Sequence, residues 1–566
     1  MPHRTRAIVC LLVLLLLVAN CGSTGQESAR VAHSPMPPPP TSTPIPPTAT
    51  PTPLPTSPPT STATPVPTGT PTAEPTATAA PTDSPTPAPT ATPTSEPSIP
   101  LSDLPLWEPD ICHFTTPYGY EVECGYLVVP EHRSKPDTRP IRVHAAVFKS
   151  RAAEPKPDPV IYVAGGGGVN QLGMAESYLS RVGNDILEAR DFIMYNQRGA
   201  YLDEPSLACP DDTTLIRSWA AQGLSARERD DRQIERQFEC YDDLLAEGAD
   251  LSGYNTVETA GDVNDLRIAL GYDQVNLYGT SSGTRTILAI LRLYPEGVRS
   301  AILDSVDPPQ VNLYTEYPHV VDRVFSLVFE ECAADPECKQ KYPDLEALFF
   351  QTVDDLDANP VSVQIDGTRI PINGGLFMDA LWHSLYMNSS VSQIPHWIES
   401  ASNGDLSGLQ GILAGVLSDT GNMIALGYEW SMQCNEEVAF ESYEEARELA
   451  ADLPPQIAHY FESYLEFTLC ESWESGRADP VENEAVTSDI PSLVLAGQYD
   501  PITPPAWSRM AAETLSNHYY YEFPGLTHGI MRSDQCGLEI GLQFLDDPES
   551  EPDASCLEEY AGPTFW

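Results

Sequence analysis

Positive charge is what this chain most conspicuously lacks. Its 566 residues hold 30 Lys and Arg against 81 Asp and Glu, a formal net charge of −51. Binding to phosphate needs clustered Lys and Arg, so nucleic acid is excluded as a partner. Electrostatic adhesion to anionic lipid is excluded for the same reason. Past the N-terminus no run of 18 apolar residues occurs, so no later membrane span is expected. There is no Cys-x-x-Cys, and no His stands at zinc-finger spacing, so no metal centre is expected. A Gly-Lys-Ser/Thr phosphate loop is also absent, as is a Gly-x-Gly-x-x-Gly opening a helix. No nucleotide site and no other cofactor is therefore expected.

From 34 to 100 there is no Lys or Arg at all and only three acids, Glu74, Asp83 and Glu96. That window holds 24 of the 56 prolines. Proline fixes φ and removes an amide donor, which leaves polyproline II or extended coil as the available local order. Residues 22–104 therefore read as a disordered Pro/Thr-rich linker. At about 3.1 Å per residue, its proline-rich part reaches on the order of 200 Å. Ahead of it, Met1 to Arg6 carries two arginines and Ile8 to Val18 is almost unbroken apolar sequence. A charged start and a short apolar run make an export signal, too short for a comfortable span. The run closes on Leu17-Val18-Ala19-Asn20-Cys21, which resembles a bacterial lipoprotein signal. Residues 1–21 are expected to direct export, with lipid anchoring at Cys21 to the outer face of the membrane, or secretion.

Ten cysteines follow Cys21, an even number. In an exported chain such a set reads as disulfides. Sequence does not fix the connectivity, but spacing favours neighbours: Cys112–Cys124, Cys209–Cys240, Cys332–Cys338, Cys434–Cys470 and Cys536–Cys556.

The body alternates short apolar strands with helical patterns. Strands are expected at 125–130, 141–149, 160–164, 191–195, 275–278, 301–304, 493–496 and 519–523. Helices are expected at 259–270, 284–293 and 506–515. This alternation predicts an α/β fold, a mostly parallel sheet with helices on both faces. Residues 105–308 and 486–566 would form the catalytic core. The helix-rich, acidic stretch 309–485 interrupts the rhythm and reads as an inserted helical cap.

Val275-Asn276-Leu277-Tyr278-Gly279-Thr280-Ser281-Ser282-Gly283 is a strand running into Gly-x-Ser-x-Gly, with a helix after it. A nucleophile lifted above a sheet needs a turn so tight that its ±2 neighbours carry no side chain. Ser281 is the expected nucleophile, and the backbone N–H of Ser282 the expected first oxyanion donor. An acid and a base should follow in the order Asp, His. Leu493-Val494-Leu495-Ala496-Gly497-Gln498-Tyr499-Asp500 places Asp500 at the end of a late strand. His528 follows the next strand, in Gly525-Leu526-Thr527-His528-Gly529. Ala164-Gly165-Gly166-Gly167-Gly168 follows an apolar strand, and Gly166 is the expected second oxyanion donor.

Together these residues resemble α/β-hydrolases of the prolyl aminopeptidase and tripeptidyl aminopeptidase group. The resemblance covers roughly 105 to 560. That group's His-Gly-Gly-Pro-Gly corresponds to residues 164–168, and its Asp-Gln-Arg-Gly to Asn196-Gln197-Arg198-Gly199. The early pair Cys112 and Cys124 and the late Leu-Val-Leu-Ala-Gly-x-x-Asp-Pro-x-Thr-Pro block match the tripeptidyl subgroup. So does Met432-Gln433-Cys434-Asn435-Glu436-Glu437. The resemblance implies an α/β-hydrolase fold and a peptide substrate with a free N-terminus. By motif it also implies that Arg198 holds the oxyanion loop through ion pairs. An aminopeptidase must recognise an α-ammonium, and carboxylates do so at about 1.5–3 kcal/mol per charge-assisted hydrogen bond. Glu436 is the first candidate and Glu437 the second. The expected function is an exported serine aminopeptidase. A carboxylesterase or lipase with the same triad, or a non-catalytic protein on the same fold, are the competing readings.

Overall fold

The computed structural model describes residues 99–566, except 211, 225, 419–422, 461–464 and 566. The expected export signal 1–21, with Cys21, and nearly all of the expected linker lie outside the described residues.

Nine strands form one sheet: β1 Leu106–Asp110, β2 Val122–Pro130, β3 Pro140–Phe148, β4 Val160–Val163, β5 Phe192–Tyr195, β6 Val275–Ser281, β7 Val298–Val306, β10 Ser492–Gly497 and β11 His518–Phe523. A separate hairpin supplies β8 Val361–Ile365 and β9 Thr368–Ile372. The order across the large sheet is β1-β2-β3-β5-β4-β6-β7-β10-β11. The first three pairings are antiparallel; from β5 to β11 every neighbour runs parallel. All eight expected strands are present, with ends moved by up to three residues.

Alternation along the strands sorts side chains onto two cores. Ile161, Val163, Leu277 and Leu303 point to one face and meet Val263, Leu266, Ile287 and Leu291. Val160, Tyr162, Tyr278, Ile302 and Leu495 point to the other and meet Leu179, Ile186, Ile530 and Phe544. Burying a Val, Leu, Ile or Phe side chain contributes roughly 1.5–3 kcal/mol. Helices Thr256–Ala269 and Ser282–Leu293 cover the first face.

Between β7 and β10 lies the interrupting stretch. It is built of helices, among them Leu313–Ala334, Gly374–Ser384 and Leu426–Met432, with the β8–β9 hairpin. It has an aromatic core of its own, in which Phe349 contacts Phe325, Phe329 and Phe377. Tyr499, just past β10, packs into that core and joins it to the sheet. The five neighbour-spaced disulfides are all formed. Among the described residues no helix is long and apolar enough to cross a membrane.

Candidate active site

Parallel strands aim their carboxyl ends at one edge of the sheet, and ligands of open α/β sheets bind there. Every expected catalytic residue falls on that edge: Ser281 ends β6, Asp500 follows β10, and His528 follows β11.

The β6 turn is under backbone strain. Ser281 has φ 59° and ψ −135°, a conformation that L-residues rarely adopt. The glycines on either side make it feasible. A Cβ at Gly279 would lie 2.7 Å from Ile287 Cδ1 and 2.9 Å from the Gly283 carbonyl. A Cβ at Gly283 would collide with the Val163 carbonyl. Ser281 therefore sits at the head of the helix Ser282–Leu293. Its Oγ has no hydrogen-bond partner among the described residues.

His528 and Asp500 are joined directly, with Nδ1 and Oδ2 2.8 Å apart. Asp500 also accepts the N–H of Thr503 at 2.8 Å, the N–H of Ile502 at 3.0 Å and the Thr503 hydroxyl at 2.9 Å. Burial alone would push the Asp500 carboxyl up. The His528 ring and these donors outweigh it and hold the group below the usual carboxylate range. β7 clamps the His528 loop. Ser305 Oγ accepts the Gly529 N–H at 2.9 Å, and Asp304 accepts those of Ile530 and Met531 at 2.8 and 3.0 Å. Ser281 is the register partner of Val306, one residue beyond Ser305. The two strand ends thus bring Ser281 and the His528 loop to adjacent places.

The glycine loop lies against the elbow. A Cβ at Gly165 would fall 2.6 Å from Ser281 Cβ, so only glycine allows this approach. The Gly166 N–H points not to open space but to Ser282 Oγ, at 2.6 Å. Gln197 is what holds the loop. Its Nε2 donates to the carbonyls of Gly166 at 2.8 Å and Ala164 at 3.1 Å, and its Oε1 accepts the Gly168 N–H at 2.5 Å. This corrects the role expected of Arg198. That side chain, fully buried, makes a two-pronged ion pair with Asp262 and donates to the carbonyls of Glu131 and Gly253. It ties the β2 end to the helix Thr256–Ala269 and does not reach the loop, because successive residues after β5 point to opposite sides.

Glu436 and Glu437 are both buried and already have protein partners. Glu436 accepts the Thr256 N–H, and its Oε2 is 3.6 Å from Arg285 Nε. Glu437 Oε1 is 2.6 Å from Arg285 Nη1. Asp307 shares the same guanidinium field and also senses His528. One cation cannot neutralise three carboxylates, two of them buried. Burial therefore pushes Glu436 up to about 7 and holds Glu437 and Asp307 above their ordinary values.

Glu429 is different. From the helix Leu426–Met432 it reaches the glycine loop, and its Oε2 lies so close to Gly167 that no Cβ would fit there. That oxygen is shut off from solvent and has no well-aligned hydrogen-bond partner. Oε1 accepts Gln433 Nε2 at 3.0 Å, and Gln433 in turn accepts the Tyr314 hydroxyl at 3.1 Å. Burial raises the Glu429 carboxyl, although the Gln433 amide and the Gly167 N–H pull it down. Glu466 adds another acid beside Tyr314, pushed by burial up to about 7. Asp307, Glu429 and Glu466 are each half-buried.

A family model described as alpha/beta hydrolase fold matches residues 158–338, which include the glycine loop and Ser281. A second, described as TAP-like protein, matches 458–556, which include Asp500 and His528. The chain has the α/β-hydrolase fold. Tripeptidyl aminopeptidase of Streptomyces coelicolor is 28% identical over 196 residues, 33% of this chain and 36% of that protein. Serine protease Hip1 of Mycobacterium tuberculosis is 27% identical over 220 residues, 38% of this chain and 41% of that protein. These matches span only about two fifths of the relatives' lengths. The Escherichia coli protein YuaR is 23% identical over 463 residues, 78% of this chain and 90% of its own.

Sequence reasoning missed several residues of this α/β-hydrolase's site. Thr503 could have been found, since it stands three residues after Asp500 in the late Asp-Pro-x-Thr-Pro block. Gln197 stood inside a motif already singled out, beside the arginine that drew attention. Tyr386, whose ring centroid is 5.2 Å from that of His528, carries no local signal. Neither does Asn388, whose Oδ1 accepts the N–H and hydroxyl of Thr527. Glu429 is one acid among 81, and only the fold brings it to Gly167.

Proposed function

We propose that this α/β-hydrolase is an exported serine aminopeptidase, releasing short peptides or amino acids from the free N-terminus of peptides. The export signal and Cys21 place it on the outer face of the membrane by a lipid anchor, or release it. His528 takes the proton of Ser281 as Oγ attacks the scissile carbonyl. Asp500 fixes the ring through Nδ1 and stabilises its cationic form. The oxyanion forms at the head of the elbow helix, beside the glycine loop. His528 then protonates the leaving amine, and water hydrolyses the acyl-enzyme.

The observation that carries the peptidase reading is Glu429 against Gly167. A bare carboxylate beside a forming oxyanion opposes the reaction. A substrate ammonium seated on Glu429 removes that opposition and places the N-terminus a short, fixed distance from the cut. Glu436 and Glu437 hold the neighbouring wall through Arg285. An ester with no cation gains nothing from this arrangement.

The test is Ser281→Ala, assayed on unblocked peptide anilides. Turnover is expected to fall by several orders of magnitude with the fold intact. Near-normal hydrolysis by the variant would overturn the assignment.

A further inference from the structure

Ser282 was expected to act through its backbone alone, yet its side chain occupies the place where the second oxyanion donor should be free. Gly166 N–H, the expected donor, is already bonded to Ser282 Oγ at 2.6 Å. For that amide to serve an oxyanion directly, this short contact must first break. A hydroxyl that accepts one hydrogen bond still has its own proton to give. Among the described residues nothing accepts the Ser282 hydroxyl proton, and the side chain is half-buried at the site. Ser282 is the first residue of a 12-residue helix, so its backbone N–H has no partner within the helix. An N–H and an O–H on one residue at a helix N-terminus can converge on a single anionic oxygen.

We propose that Ser282 supplies both direct oxyanion donors, its backbone N–H and its hydroxyl. Gly166 acts one step behind, its N–H polarising the hydroxyl and fixing its rotamer. The proposal rests on Ser281 being the nucleophile. It does not depend on whether the substrate is a peptide or an ester.

Ser282→Ala tests it in the full-length protein. Three quantities are read: kcat and KM on an unblocked peptide anilide, the same on a p-nitrophenyl ester, and the rate of inactivation by a fluorophosphonate, whose phosphoryl oxygen takes the oxyanion position. Loss of a direct donor is expected to lower kcat about 100-fold or more on both substrates. KM should stay within a few-fold, inactivation should slow in parallel, and the melting temperature should not move. A variant that matches or exceeds the wild type in kcat and in labelling would overturn the proposal. The hydroxyl would then be a plug on Gly166, and the hole would consist of two amides. A wild type inert to the probe and to both substrates would remove the nucleophile assignment, and this proposal with it. The two failures are therefore distinguishable.

Discussion

Glu429 has to be charged to hold an ammonium and neutral to tolerate an oxyanion with no ammonium present. Burial reconciles these demands by raising its carboxyl above the ordinary Glu value, about 4.3. In the empty site it keeps its proton to a higher pH than an exposed Glu does, and it ionises as pH rises further. The substrate α-amine loses its own proton near 8. Affinity for free-amine peptides should thus improve upward from the acid side and fall again near pH 8, so that KM passes through a minimum. Glu429→Gln should flatten the acid limb and raise KM about ten- to hundredfold, the worth of one charge-assisted hydrogen bond. KM for a neutral ester should barely move. Equal losses on both substrates in steady-state assays across pH 5–8 would contradict this role. Ser281, Asp500 and His528 were legible because each carries a local signature at a strand end. Glu429 was not, because 262 positions separate it from the Gly167 it touches and nothing near it in sequence marks it out.

At the scale of elements, the strands were legible and their edges less so. β4, β6 and β7 announced themselves as apolar runs closed by Gly or Asp. β1 did not, since Leu106-Trp107-Glu108-Pro109-Asp110 carries a proline that only an edge strand tolerates. The β8–β9 hairpin was readable and was overlooked. Its Val-Ser-Val-Gln-Ile and Thr-Arg-Ile-Pro-Ile arms flank Asp366-Gly367, both at positive φ, a strong hairpin signal inside a helix-rich stretch. The glycine loop shows how an element holds a site. Its far end is bridged to Ile424, and Gln197 anchors the rest with three bonds. Gln197→Ala should let the loop drift, and a misplacement of about 1 Å can cost on the order of 100-fold in rate. The expected signature is a fall in kcat on peptide and ester alike with His528 chemistry intact. A variant with wild-type kcat would show that the loop holds itself.

For the whole molecule, the charge imbalance resolves into two uses. Most of the 81 acids are exposed and keep a protein of net charge −51 soluble. A few converge inside, where Glu436, Glu437 and Asp307 share a single Arg285. Five disulfides cross-link the body, two of them beside this interior. Cys434–Cys470 ties the segment bearing Glu436 and Glu437 to the one bearing Glu466, which fixes the acids relative to each other. The arrangement makes sense if the substrate brings a positive charge to the nucleophile. The most direct measurement compares hydrolysis by the full-length protein of peptide anilides with a free N-terminus, the same anilides N-acetylated, and p-nitrophenyl esters. Cleavage of the free-amine peptides, abolished by acetylation, is the predicted result. Indifference to acetylation together with fast ester turnover would contradict the account and make the protein an esterase.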